Sequence, residues 1–461
     1  MEANFGFRQR LWRWHFFAGL MVCPFAILLS ITGSIYLFKP QIDSYVEKTI
    51  NATAPVLSVA KEPISADQLV NDLLAKYPNA TLKAFTLAKE NDRTVEIELR
   101  HINSQVEIFW LDHLTGQTLE SAMSDKRFLA VVKDLHGELL LGNRGSYVVE
   151  LMASWMIVLI VTGLYLWLTS HIEKPNAQRK WRRWFVPQFH VKRARSGYKS
   201  LHGVIGIWFT LPILVLLLSG LPWTQLWGSG FKQLQDYMGW QDQPQFKLSV
   251  ASVKQNTALE NEPSLWEISS DPHKHHNHSA DEANTKQLNI SPLAIIVESL
   301  KQEDLAPPVL ISPPNGKSQI WSARSMSQQR SERVTINFDP ITAEELSRIE
   351  FADRHPVRRV VSQGISLHEG VLFGWLNQLL GLLTAVAIIA LSTFGLFIWW
   401  LRRPKGQLSA PPRPRAPVPM SLLLVVLVLG LLLPAAGISF IAVALIDKGY
   451  LVLSSVIRKA V

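Results

Sequence analysis

A single cysteine, Cys23, occurs in 461 residues. That excludes an intramolecular disulfide, a Cys-x-x-Cys redox pair, covalent haem attachment through Cys-x-x-Cys-His, and an all-thiolate iron–sulfur site. Charge is also scarce: 18% of residues are Asp, Glu, Lys or Arg, against 48% that are apolar. Neither a Gly-x-Gly-x-x-Gly fingerprint nor a P-loop motif is present, so a Rossmann-type dinucleotide site and ATP hydrolysis are unsupported. The formal net charge is +9, and its location decides whether nucleic acid or a membrane is the partner.

Charge is missing altogether from five long stretches, 14–38, 151–170, 200–231, 370–401 and 416–446. Each has the roughly 20 residues that an α-helix needs to cross a bilayer. They predict transmembrane helices at 14–38, 146–170, 200–224, 373–401 and 418–446. The first is too long for a signal-peptide core and lacks a small-x-small cleavage site, so it reads as an uncleaved helix. Lys and Arg concentrate between the spans: residues 1–14 carry +2, the basic loop 171–199 carries +8, and 402–415 carry +5. Those segments are expected in the cytoplasm together with the N-terminus, whereas 39–134 and 225–367, net acidic, are expected outside. Five spans put the C-terminus outside, against the +2 of its tail. Nucleic acid is not needed to explain the basic balance.

Both outer segments show folded patterns. Residues 65–77 space Leu69, Leu73 and Leu74 helically after a Ser, and TVEIELR and QVEIFWLD alternate as strands before the turn HLTGQ. The second segment repeats the plan with NISPLAIIVESL, SQIWSAR, RVTINFD and the turn PITAEE. Between them lies a polar linker, 241–290, whose His273, His275, His276 and His278 read either as a solvated tract or as a weak Zn, Cu or Ni site.

An internal repeat singles out four other histidines. His15-to-Gly33 and His202-to-Gly220 align without gaps, with Gly at +4 and Thr-Gly or Ser-Gly at the far end. LHGELLLG and GLYLW likewise match LHEGVLFG and GLFIW, placing His136 and His368 in register. The expected architecture is a membrane α-helical four-helix bundle of two parallel helix–domain–helix repeats plus a fifth helix, with two outer α+β domains. His15 and His202 then share one depth near the inner face, and His136 and His368 another near the outer face. Singly, a histidine at a helix end is an interfacial residue; paired in a bundle core, such residues bind cofactors. Two imidazoles suit haem, which needs only two axial ligands, better than Zn. Gly19, Gly137, Gly203, Gly206, Gly370 and Gly381 would admit a flat ring. Trp12, Trp14, Trp155, Trp167, Trp208, Trp375, Trp399 and Trp400 would pack on it. Arg354, Arg358 and Arg359, just before His368, form a basic cluster that suits an anionic substrate, lipid phosphate or a solvated face.

RLWRWHFFAG…SITG, LHGELLLG…TGLYLWL, YKSLHGVIGIW…LSG and LHEGVLFG…FGLFIWW resemble the PepSY-associated transmembrane proteins of bacterial inner membranes, over about residues 8–404. VEIFWLDHLTGQTL is similar to the end of a PepSY domain, and VTINFDPITAEEL to a diverged copy with Ala343 at the turn glycine. The resemblance implies two b-type haems, bis-His ligated, with His15 and His202 at the inner one and His136 and His368 at the outer. It further implies reduction of a ferric siderophore on the periplasmic side in iron uptake, making the chain an oxidoreductase. The electron donor would be quinol or a cytoplasmic flavoprotein. The other reading is a non-enzymatic PepSY membrane protein that binds peptides or proteases or assists a transport partner.

Overall fold

The computed structural model describes residues 2–56, 62–89, 92–172, 182–188, 194–240, 242, 245–246, 290–315, 318–404, 418 and 420–460. The His273–His278 cluster and His190 lie outside them. The chain forms two compact units: residues 1–37, 132–233 and 375–461 make a helical unit, and residues 38–131 and 234–374 make a sheet unit.

Four helices of the first unit are long and apolar enough to cross a membrane: Phe7–Leu37, Asn143–Ser170, Arg195–Trp223 and Trp375–Trp400. At 1.5 Å per residue each spans about 40 Å, more than the hydrocarbon core. The first and third helices each pack against the second and the fourth, which closes a four-helix ring. Its interior is seamed with small and polar side chains, among them Ala18, Ala26, Thr32, Ser154, Thr162, Thr384 and Ser392, all buried, as suits helices that must approach closely in lipid. The second helix starts earlier than its uncharged run and takes in Arg144 and Glu150. Glu150 is fully buried and accepts from the backbone N–H groups of Leu226 (2.8 Å) and Trp227 (3.0 Å). A carboxylate there satisfies two of the orphan donors at the start of the helix Leu226–Met238.

The fifth span expected over 418–446 is not one helix. Met420–Leu432 and Pro434–Ala460 are separate helices, and the apolar parts of both fall short of a crossing. Pro434 has no N–H to continue the ladder and its ring obstructs the preceding turn. Seven residues would advance a straight helix by about 10 Å, yet a Cβ on Gly437 would lie 2.5 Å from the Gly430 carbonyl oxygen. The chain therefore folds back, and two glycines permit the contact. Trp227 donates to the Leu432 carbonyl at 3.2 Å and Trp155 to Ser439 Oγ at 3.1 Å.

The two outer segments were expected as two domains and form one. Strands β1 (Thr81–Thr86), β2 (Thr94–Arg100), β3 (Val106–Asp112), β4 (Thr118–Met123), β5 (Gln245–Phe246), β6 (Val309–Ser312), β7 (Trp321–Ser325), β8 (Thr335–Phe338) and β9 (Glu345–Ile349) build a single antiparallel sheet. Its order is β4-β3-β2-β1-β6-β7-β8-β9-β5. The leading strands of the two meanders pair with each other, Phe85 opposite Ile311 and Thr86 opposite Leu310, so neither presents an open edge. Helices Ala66–Lys76 and Pro292–Lys301 lie side by side on one face. Leu69, Leu73, Leu293 and Ile296 there meet Phe85, Ile97, Phe109, Trp321 and Phe338 in one continuous core.

The internal repeat extends to the turns. The N–H groups of Gly116 and Ala343 donate to the carbonyls of Asp112 and Asp339, at 2.8 and 3.1 Å. Both residues are left-handed, with φ of +71° and +59°. The diverged copy thus holds an alanine where the backbone favours glycine, at a cost of about 1–2 kcal/mol.

Candidate functional site

His15 and His202 come from the first and third spanning helices, which face one another across the ring, and their imidazoles meet inside it. The ring centroids are 6.3 Å apart and the planes cross at 88°. Each imidazole is held by the helix that follows it in its own repeat. His15 Nδ1 lies 3.0 Å from Thr162 Oγ1, and a Cβ on Gly163 would stand 3.0 Å from His15 Cε1. His202 Nδ1 donates to the Leu391 carbonyl at 3.0 Å, and a Cβ on Gly395 would stand 3.7 Å from His202 Cε1. Gly163 and Gly395 open the matching motifs GLYLW and GLFIW, so the repeat seen in sequence is a repeat of histidine seats.

His136 has the same kind of seat. Its Nδ1 is 3.0 Å from Thr32 Oγ1, and a Cβ on Gly33 would lie 3.0 Å from its Cε1. His368 closes the helix Pro356–His368 in the sheet unit. The helical unit thus brings His15 and His202 together, while His136 and His368 belong to different units.

The hydrogen bonds set the tautomer of each ring. A carbonyl oxygen only accepts, so His202 must carry its proton on Nδ1, leaving the Nε2 lone pair of a neutral ring available to a metal. Thr162 can place its one hydroxyl proton on the Val158 carbonyl at 2.8 Å, and Thr32 on that of Leu28 at 3.0 Å. Each hydroxyl is then an acceptor for Nδ1–H of His15 or His136, the partner a metal-bound histidine normally finds.

Two imidazoles that can each offer a nitrogen lone pair are a donor set that could hold a haem iron. Two imidazoles sharing one metal, with N–metal bonds of about 2.0 Å and ring radii of about 1.1 Å, would have centroids no more than roughly 6 Å apart, close to the 6.3 Å between His15 and His202. Among the described residues no group of three or more His, Cys, Asp or Glu gathers as a polydentate metal site would require.

The glycines and tryptophans expected around a flat ring are mostly engaged elsewhere. Gly19 and Gly206 meet leucine side chains, and Gly381 meets Leu37. Gly203 carries Trp167: a Cβ would fall 2.1 Å from Trp167 Cζ3. Trp12 and Trp400 lie under Arg402 and Arg403, at 4.2 and 3.5 Å, and Trp208 and Trp375 are exposed. The glycines that do touch histidine rings are Gly33, Gly163 and Gly395. Thr162 escaped sequence reading, although the dipeptide Thr162-Gly163 repeats Thr32-Gly33. His355 stacks on Trp240 with centroids 5.8 Å apart and accepts from Val357 N–H, a local capping role.

A family model described as the PepSY-associated TM region matches residues 12–402. No curated protein matches the chain. Four apolar helices of spanning length, the paired repeats and this match over most of the sequence lead to one assignment: the chain is a multi-pass membrane protein belonging to the PepSY-associated transmembrane family.

Proposed function

We propose that this protein carries electrons across the bacterial inner membrane to an acceptor on the periplasmic side, reducing ferric iron held by a siderophore to Fe(II). The observation that carries this reading is the His15–His202 pair: two half-buried imidazoles whose ring centroids are 6.3 Å apart, each tied at Nδ1 and backed by a glycine. His15 and His202 would hold one b-type haem near the cytoplasmic face. The sequence repeat alone makes His136 and His368 the proposed ligands of a second. Haem supplies a one-electron couple, and two histidine ligands leave no open coordination position, which suits electron transfer over oxygen activation. The chain's own residues fix the imidazoles, exclude water and set the ligand strength through the Nδ1 hydrogen bonds. Adding one electron to a ferric chelate weakens its hold by hard oxygen ligands and frees the metal. Quinol or a cytoplasmic flavoprotein is the proposed donor.

The charge pattern supports an N-terminus in the cytoplasm. The fold-back at Pro434 supports it too, because a returning chain brings the +2 tail toward the side of the basic loop 402–415. One sheet built from both outer segments requires an even number of crossings between them, as the second and third spans provide.

The test is the spectrum of the purified full-length protein. A b-type, low-spin, bis-histidine signature with two haems per chain is expected, and His15→Ala should remove one haem and retain the other. A colourless protein that stays colourless with added haemin overturns the reading, and points to a protein that binds peptides or proteases instead.

A further inference from the structure

The helix Pro356–His368 buries its polar side. At 3.6 residues per turn, Arg358, Ser362, Ile365, Ser366 and Glu369 fall on one face. Ser362 and Ile365 are 0% exposed and Ser366 is 1% exposed. Val360, on the opposite face, is 71% exposed. The arginine cluster legible before His368 is therefore no solvated face: Arg354 is buried, and the half-buried Arg358 pairs with Asp242 at 3.1 Å.

Against this face packs the 3₁₀ turn Arg330–Glu332. Arg330 is 1% exposed, and its Nη2 donates to both carboxylate oxygens of Glu369 at 3.1 Å. The other two guanidinium nitrogens, Nε and Nη1, have no hydrogen-bond partner among the described residues. Neither do Oγ of Ser362, Oγ of Ser366 or Nε of Arg358. A buried guanidinium is always charged and only donates, so unused donors there cost more than the one ion pair returns unless something accepts from them. Ser362 and Ser366, on the helix face that also carries Glu369, add two buried hydroxyl donors. A guanidinium with free N–H groups matches the planar or tetrahedral oxygens of a carboxylate or phosphate better than a spherical ion.

We propose that the seam between the turn Arg330–Glu332 and the helix Pro356–His368 binds the oxyanion group, carboxylate or phosphate, of a ligand. Arg330 and the hydroxyls of Ser362 and Ser366 are the direct donors, with Arg358 flanking. Glu369 is a positioning residue that holds one edge of the Arg330 guanidinium. The site lies within the sheet unit and stands whether or not the histidines hold haem.

The test uses full-length protein in neutral detergent, titrated with sodium acetate, citrate or phosphate against sodium chloride at matched ionic strength, with the unfolding midpoint as readout. A saturable rise with an oxyanion and a much smaller one with chloride is expected. Ser362→Ala/Ser366→Ala should bind about tenfold more weakly with its anion-free midpoint unchanged or raised, since two buried unpaired hydroxyls are gone. Arg330→Lys should weaken binding at least as much, and Lys301→Gln, exposed on another helix, should not. If Arg330→Lys fails to fold, the double serine variant decides. A parallel arm compares nanodiscs of phosphatidylglycerol and phosphatidylcholine; protection by the anionic lipid alone identifies a headgroup phosphate as the ligand's source. Equal responses to chloride and every oxyanion with no lipid effect, or wild-type binding by the serine variant, overturn the proposal.

Discussion

Alanine substitutions at three helix glycines should differ in sign, because only the neighbour differs. Removing a glycine from a helix interior gains about 1 kcal/mol of backbone propensity at each position. What the new methyl meets is graded. At Gly395 it would lie 3.7 Å from His202 Cε1, within the ordinary contact range of about 3.5–4.0 Å, so Gly395→Ala should be neutral or stabilising by up to about 1 kcal/mol. At Gly163 it would lie 3.0 Å from His15 Cε1, and the imidazole must yield by about half an ångström, against its Thr162 bond. Overpacking of this size costs about 1–3 kcal/mol, so the net effect is a loss of up to about 2 kcal/mol. At Gly203 the methyl would lie 2.1 Å from Trp167 Cζ3 and 2.2 Å from Cε3. A fixed indole must leave its place by more than an ångström, and Gly203→Ala should be the most damaging, by roughly 3 kcal/mol or more. Unfolding midpoints of the three variants in one detergent measure the order. A Gly395→Ala variant as unstable as Gly203→Ala would show that the rings do not sit on these glycines, and the histidine seats would fall with that result.

Two further outcomes follow from single contacts. Thr162→Val keeps the side-chain shape and deletes the Nδ1 partner of His15; haem affinity at that site should fall roughly tenfold or more and its potential should shift. Thr210→Val, whose hydroxyl bonds the Gly206 carbonyl of its own helix, should change neither, and equal behaviour of the two variants would remove Thr162 from the site. On β2, burial and then the neighbouring Glu98 push the Glu96 carboxyl up to about 7, against the pull of Arg127 and the Trp110 N–H. A folded-state value above the ordinary 4.5 means that this contribution to stability is complete below pH 4.5 and is lost as pH rises through 7. Glu96→Gln should flatten stability over that window by roughly 1–3 kcal/mol; parallel stability–pH curves for the two proteins would refute it.

The four spans, the matching strands and the repeated turns were legible because each is written locally, in runs without charge, in alternation, or in a Thr-Gly or Ala343 position. The union of β1 with β6 was not. Edge-to-edge pairing leaves no local mark, since Phe85 and Ile311 look the same whether their strands end a sheet or continue it. The break at Pro434 was hidden inside an apolar run whose composition alone satisfied the length rule, and only the proline chemistry and the Gly430–Gly437 contact divide it. Of the candidate site, His15 and His202 were singled out by the repeat, whereas Leu391 was not, because a carbonyl on a neighbouring helix carries no spacing relative to the histidine it orients, and Thr162 was marked only by its likeness to Thr32. Of the readings open for the arginine run before His368, the buried polar face of Pro356–His368 speaks against the solvated one.

The joined sheet also dictates an order of assembly. When the first outer segment emerges, β1 has only β2 beside it, and its other edge stays open until Val309–Ser312 arrives. Two further spanning helices and the +8 loop must be made before that strand exists. The sheet unit therefore matures late, as a clasp closed by the second repeat on the first. A ribosome stalled within the third span would leave a half-sheet whose β1 edge carries unpaired N–H and C=O groups, open to pairing with another chain.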